Sequence, residues 1–189
     1  MKLKFVVSLL AFLSFLGAAA HAQEGPTKID VFAGYSYLRA RPSTSSSDNF
    51  SLNGGSASVA YNVNNWLSGV ADFGGYHSGS ILGTGTDGTL STYLFGPRFS
   101  DRHFGRFTPF GEVLFGVAHA SANVVGASSS QNAFAMTVGG GVDYTVSRHL
   151  AIRPIKVDYL LTRFSELGTG NGTQSQNNLR ASAGVVFRF

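Results

Sequence analysis

The chain has 189 residues with no cysteine, which excludes disulfides and thiolate metal sites and suits a single domain. Only 13% of residues are charged, against roughly a quarter in soluble domains, while Gly (24), Phe (16) and Tyr (7) are abundant. The net charge of +4 includes Lys2 and Lys4 and no basic cluster interleaved with aromatics, so a nucleic-acid partner is not expected.

Lys2 and Lys4 precede an apolar run from 5 to 16, broken only by Ser8 and Ser14, and Ala20-His21-Ala22 supplies the small-x-small pattern of a signal peptidase site. Residues 1–22 are therefore expected to be a signal peptide cleaved before Gln23, leaving 23–189 as the mature domain. Beyond the leader no segment approaches 18 uninterrupted apolar residues, so helical membrane spans are excluded. A closed β-barrel is the other architecture that leaves no backbone group unpaired in lipid.

Strand side chains point alternately to opposite faces, and eight segments alternate accordingly. The first, about 28–40, sets Ile29, Val31, Ala33, Tyr35 and Tyr37 against Asp30, Phe32, Gly34 and Ser36. In the second, about 52–63, Ala57, Val59, Tyr61 and Val63 oppose Ser56, Ser58, Ala60 and Asn62. The third, about 66–77, carries Phe73 opposite Asp72, and the fourth, about 89–99, Phe95 and Phe99 opposite Arg98. The fifth, about 106–120, opposes Val113 and Phe115 to Glu112 and Gly116. The sixth, about 133–146, opposes Phe134, Val138 and Val142 to Gly139, Gly141 and Asp143. The seventh, about 150–163, opposes Ile155, Val157 and Tyr159 to Lys156 and Asp158, with Pro154 marking a candidate bulge. The last, from Leu179 to Phe189, places Ala183, Val185, Phe187 and Phe189 opposite Arg180, Ser182, Gly184 and Arg188.

Short connections at 64–65, 101–105 and 147–149 alternate with long Ser-, Gly-, Asn- and Thr-rich ones at 41–50, 77–88, 121–132 and 165–178. Short periplasmic turns and long external loops produce this alternation. A soluble ligand barrel would turn its apolar face inward. Here Asp72, Arg98, Glu112, Asp143, Asp158 and Arg180 share the face of Gly, Ser and Thr, so an inside-out arrangement is expected. The fold class is all-β: an eight-stranded antiparallel transmembrane β-barrel of up-and-down topology.

Four stretches, Lys28 to Tyr37, Tyr93 to Arg98, Pro109 to Gly116 and Gly139 to Tyr144, resemble the outer-membrane β-barrel family related to the transmembrane domain of OmpA. The tail resembles the C-terminal signature of bacterial outer-membrane barrels, with Val185, Phe187 and Phe189 as its alternating apolar residues. That resemblance implies recognition by the barrel-assembly machinery, after the export machinery, and a place in the outer membrane of a Gram-negative bacterium. It implies little about biochemical activity. Relatives often append a peptidoglycan-binding domain. Here the sequence stops at its last strand, and any function is expected in the lumen or the external loops.

Each of the six lumen charges is expected to find a partner, since an unpaired charge in a low-dielectric interior is costly. They form either a static filling or, as the OmpA resemblance suggests, a switchable plug in a narrow pore; the static filling is preferred. His119-Ala120-Ser121 matches the His-x-Ser pair of a lipid A deacylase that is also an eight-stranded barrel. However, no Asp or Glu lies between Ser121 and Gln131, and Ala133 stands where an orienting acid is sought. Catalysis is therefore not expected. His77, His103 and His149 fall in separate connections, so no metal or cofactor site is expected. Gly83-Thr84-Gly85 and Gly139-Gly140-Gly141 lack a phosphate-loop context. The expectation is a monomeric, structural or surface-interacting barrel contacting outer-membrane lipid and lipopolysaccharide. A small gated pore and a lipid A-modifying enzyme are the alternatives.

Overall fold

In the computed structural model, residues 27–41, 50–81, 86–124, 127–165 and 173–189 are described. The leader at 1–22 and Gly83-Thr84-Gly85 lie outside them. Eight strands follow in order: β1 Ile29–Arg41, β2 Phe50–Asn62, β3 Leu67–Ile81, β4 Thr86–Ser100, β5 Phe107–Val124, β6 Ala127–Ser147, β7 Leu150–Ser165 and β8 Thr173–Arg188. Each pairs antiparallel with its sequence neighbours, and β1 pairs with β8, so the sheet closes with no free edge. Ile29 and Phe189 complete the seam by exchanging backbone hydrogen bonds of 3.1 and 2.8 Å.

The alternation fixes which side of the wall each residue occupies. Tyr35, Val59, Phe73, Phe95, Phe115, Val138, Tyr159 and Phe187 all stand on the outer face, each exposed by at least 40%. Their chain neighbours Ser36, Ser58, Asp72, Leu94, Leu114, Thr137, Asp158 and Val186 are buried inside.

Both ends of the described chain and three short connections share one rim. Between β2 and β3, the Asn64 side-chain oxygen accepts from the Trp66 and Leu67 amides at 3.0 and 2.7 Å, tightening the turn. Between β4 and β5, Gly105 adopts a φ of 63°, a left-handed conformation that a side chain would disfavour. Arg148 and His149 alone join β6 to β7. By the rule of short periplasmic turns, this rim is the periplasmic one.

At the opposite rim the strands run further than the pattern predicts. Pairing continues to Ile81↔Thr86, Val124↔Ala127 and Ser165↔Thr173, well inside the stretches expected as loops. The ladder is held by backbone groups, whatever the side chains. Above the bilayer both faces meet water, so Ser, Thr and Asn replace the alternate apolar residues and erase the strand signal while the pairing persists.

One irregularity changes the interior. Opposite both neighbours, β7 uses three residue steps where its partner uses two: Ile152 to Ile155 against Tyr144 to Val142, and Arg153 to Lys156 against Gly184 to Ser182. Pro154, which has no amide to donate, sits at this bulge. The extra residue shifts the alternation by one. Arg153, which strict parity with Ile155 would turn toward lipid, is fully buried inside.

Candidate functional site in the barrel lumen

Toward the periplasmic rim, the Arg153 guanidinium lies between two aromatic rings, 4.6 Å from the Phe32 centroid and 4.4 Å from that of Phe110. The same guanidinium donates to both carboxylate oxygens of Asp143, at 2.7 and 3.0 Å. Arg188 approaches Asp143 to 3.7 Å and donates to the Thr145 hydroxyl at 2.8 Å. Arg102, on the turn before β5, reaches in to Asp30 at 3.5 Å. Arg98 covers the Phe110 ring at 4.6 Å and links this layer to the next.

The middle layer is ionic. Arg98 Nε pairs with Glu112 at 2.8 Å. Lys156 Nζ lies 2.5 Å from Glu112, 3.0 Å from Asp72 and 3.5 Å from Asp158. Arg180 completes the circuit, with Nη1 2.7 Å from Asp72 and Nη2 2.6 Å from Asp158. Three carboxylates thus meet three cations with no net charge. A buried charge deprived of its partner would cost several kcal/mol, about 3–5, so the closed circuit is what makes these groups tolerable in the lumen. Beside it, Ser36 shares hydrogen bonds with Ser56 at 2.6 Å and with Ser182 at 2.7 Å.

Toward the external rim the inward positions become apolar. Leu38, Leu52, Leu94, Leu114 and Leu160 pack with Tyr76, Ala118, Ala133 and Ala135 into one buried cluster. A uniformly polar lumen does not form: leucines occupy the inward positions immediately above Ser36, Glu112 and Asp158. The close approach of Gly139 to β7 is also required here, since a methyl group there would overlap the Asp158 carboxylate and the Val157 carbonyl.

Asp72, Arg98, Glu112, Asp143, Asp158 and Arg180 therefore all lie in the interior, within two linked layers. Five more charged residues belong with them: Arg153, Lys156, Asp30, Arg102 and Arg188. Lys156 and Asp30 carry the right parity in the sequence. Arg153 becomes legible only once the Pro154 bulge is allowed to reverse the parity below it. Val185, Phe187 and Phe189 lie on the outer side of the closing strand, Phe187 opposite Val31.

His119 and Ser121 occupy the outer face near the external end of β5. Ser121 Oγ is 3.2 Å from His119 Nε2, and His119 Nδ1 is 2.7 Å from Asn132 Oδ1. The register sets Asn132, not Ala133, opposite His119. The imidazole thus has an orienting partner, a carboxamide in place of an acid. No group of three or more His, Asp or Glu with metal-binding geometry occurs among the described residues.

An apolar outer wall, a closed sheet and an ion-paired core define a transmembrane barrel of the outer-membrane type. The chain belongs to the outer membrane protein beta-barrel domain family, whose model matches residues 8–189. It is a protein of the cell outer membrane. The fold is similar to that of Neisserial surface protein A, at 20% identity and a TM-score of 0.68, covering 88% of this chain and all of that one. It is also similar to Ail, the attachment invasion locus protein of Yersinia pestis, at 19% identity and 0.59, with the same coverage of each chain. OprG from Pseudomonas aeruginosa matches over 89% of this chain and 99% of its own, at 10% identity and 0.50. Direct sequence comparison gives no match to a curated protein.

Proposed function

We propose that this chain is a monomeric structural or surface-interacting barrel whose lumen is sealed and whose partners are met at the external hairpins. The observation that carries this reading is the burial of the middle layer. Asp72, Glu112, Lys156, Asp158 and Arg180 are each at most 2% exposed, which leaves no water-lined path at that depth. Apolar packing above and the Phe32–Arg153–Phe110 stack below add two further obstructions. The wall outside them is suited to lipid and, at the external rim, to lipopolysaccharide. In biogenesis, residues 1–22 would direct export and be removed before Gln23, and Val185, Phe187 and Phe189 would be read by the barrel-assembly machinery.

One observation favours the competing reading of a small gated pore. Lys156 is shared among three carboxylates, and a cation with several partners can exchange them. Planar-bilayer recording of the refolded protein separates the two. A sealed barrel is expected to give no conductance above the lipid baseline, whereas regular open-channel steps that disappear or change amplitude in Lys156→Met would overturn the proposal.

A further inference from the structure

We propose that Ser121, His119 and Asn132 form an ester-cleaving site on the outer wall, directed at acyl lipids of the external leaflet. The three side chains make a connected relay on adjacent strands. A carboxamide oxygen only accepts hydrogen bonds, so its 2.7 Å contact keeps the imidazole proton on Nδ1. Nε2 is then left with its lone pair facing the Ser121 hydroxyl at 3.2 Å, the arrangement in which a histidine takes the proton of an attacking serine. Nucleophile, base and orienter are thus all present, and an amide can fill the third role.

The site's depth specifies the substrate. Along β5 the outward residues run Phe107, Pro109, Gly111, Val113, Phe115 and Val117 before reaching His119 and Ser121. From Phe107 to Val117 the strand rises about 26 Å along the membrane normal, at about 3.4 Å per residue and a tilt of about 40°, which matches the roughly 25 Å apolar band of such barrels. The relay therefore begins where the band ends. Below it lie the exposed rings of Tyr93 and Phe134 beside Val117. Across the ladder, Thr89 stands opposite Ser121 and Ser91 opposite His119. Directly paired residues on one face have Cβ atoms about 5 Å apart, so the Thr89 hydroxyl is placed to donate to the oxygen of a carbonyl attacked by Ser121. Acyl ester carbonyls reside at this boundary between chain and headgroup.

In the proposed reaction, Ser121 Oγ bonds to the ester carbonyl carbon while its proton passes to His119 Nε2. The ester C–O bond then breaks, and the departing alkoxide takes that proton to leave as an alcohol. A water molecule attacks the resulting acyl-serine, giving its proton to His119, and the Ser121 oxygen leaves and recovers it. The products are one fatty acid and one deacylated lipid, with no oxidant or reductant required. Asn132 acts as a positioning residue through the imidazole.

The test uses the refolded full chain in two vesicle types, phospholipid alone and phospholipid with lipopolysaccharide. Released fatty acid is measured by mass spectrometry, and a fluorophosphonate adduct is mapped by peptide analysis. Fatty acid release and an adduct on Ser121 are expected. Release from both vesicles identifies glycerol esters as the source, and release only with lipopolysaccharide identifies acylated sugar. Ser121→Ala and His119→Gln should each lower the rate about 10²–10⁴-fold. Asn132→Ala should lower kcat with little change in KM, and Asn132→Asp should restore it. Gel heat-modifiability confirms that each variant is folded, and adduct mapping on the unsubstituted chain does not depend on the variants. No fatty acid from either vesicle together with an unlabelled Ser121 overturns the proposal, as does full turnover by folded Ser121→Ala. Bilayer current and fatty acid release are separate readouts, so this inference and the sealed-lumen reading can fail independently.

Discussion

Replacing Lys156 by Met tests whether the middle layer is held by charge balance or by packing. Met has nearly the same length and leaves the lumen filled, but it removes the cation that lies 2.5, 3.0 and 3.5 Å from Glu112, Asp72 and Asp158. Three carboxylates then face only Arg98 and Arg180. Breaking a buried ionic group on one side costs about 3–5 kcal/mol, a factor of roughly 150 to 5,000 in the folding equilibrium. Adding Asp72→Asn restores the balance. Glu112 keeps Arg98, Asp158 keeps Arg180, and the Asn oxygen still accepts from the Arg180 guanidinium. The double variant should therefore regain most of the loss, giving a favourable coupling of at least about 1 kcal/mol in a double-mutant cycle. Urea titration of the refolded barrel reads the stability. Trp66, the single tryptophan, serves as the fluorescent reporter, exposed at the periplasmic rim and stacked 5.9 Å from Phe99. A single variant within about 0.5 kcal/mol of the parent, or a double variant whose losses simply add, would refute the charge-balance argument.

Two further outcomes are expected. Val138→Arg, on the lipid face, should cost about 2–4 kcal/mol near the bilayer midplane. Gly139→Ala, one residue on but facing inward, should cost about 1–3 kcal/mol for a different reason, since its methyl meets the Asp158 carboxylate and the Val157 carbonyl. Changing from thin to thick bilayers should alter the first loss and leave the second unchanged, and equal responses would contradict the assignment of faces. In the turn before β5, the backbone amide and then the ring of His103 hydrogen-bond to Asp101 and hold its carboxyl below the ordinary range. A carboxyl with a depressed folded pKa adds stability above its unfolded pKa, about 3.9, and loses it as pH falls through the folded value. Carbon-13 titration should place Asp101 low, and His103→Ala, which removes only the ring, should raise it part of the way; an unmoved midpoint would refute the ring's share.

The face assignment was legible because it is a local property. Period-two alternation requires no knowledge of the partner strand, and the exposed rings of Tyr35, Phe95, Phe115 and Phe187 stand outward as their parity requires. Strand ends at the external rim were not legible, because above the bilayer neither face selects apolar residues. Arg153 escaped for a third reason: a bulge at Pro154 inverts the parity on which the reading depends. Asn132 escaped because its place opposite His119 depends on register, which no local pattern carries.

The sequence by itself determined an all-β wall with lipid on one side and a charged interior on the other, because solvent selects side chains one residue at a time. Which charges meet was decided only by closure. Asp72 reaches Lys156 and Arg180 across 84 and 108 residues of chain, in strands that become neighbours across the lumen only when β1 pairs with β8. The stagger accumulated around the barrel sets the depth of each inward side chain. It gathers three carboxylates and three cations at one level and stacks leucines above them.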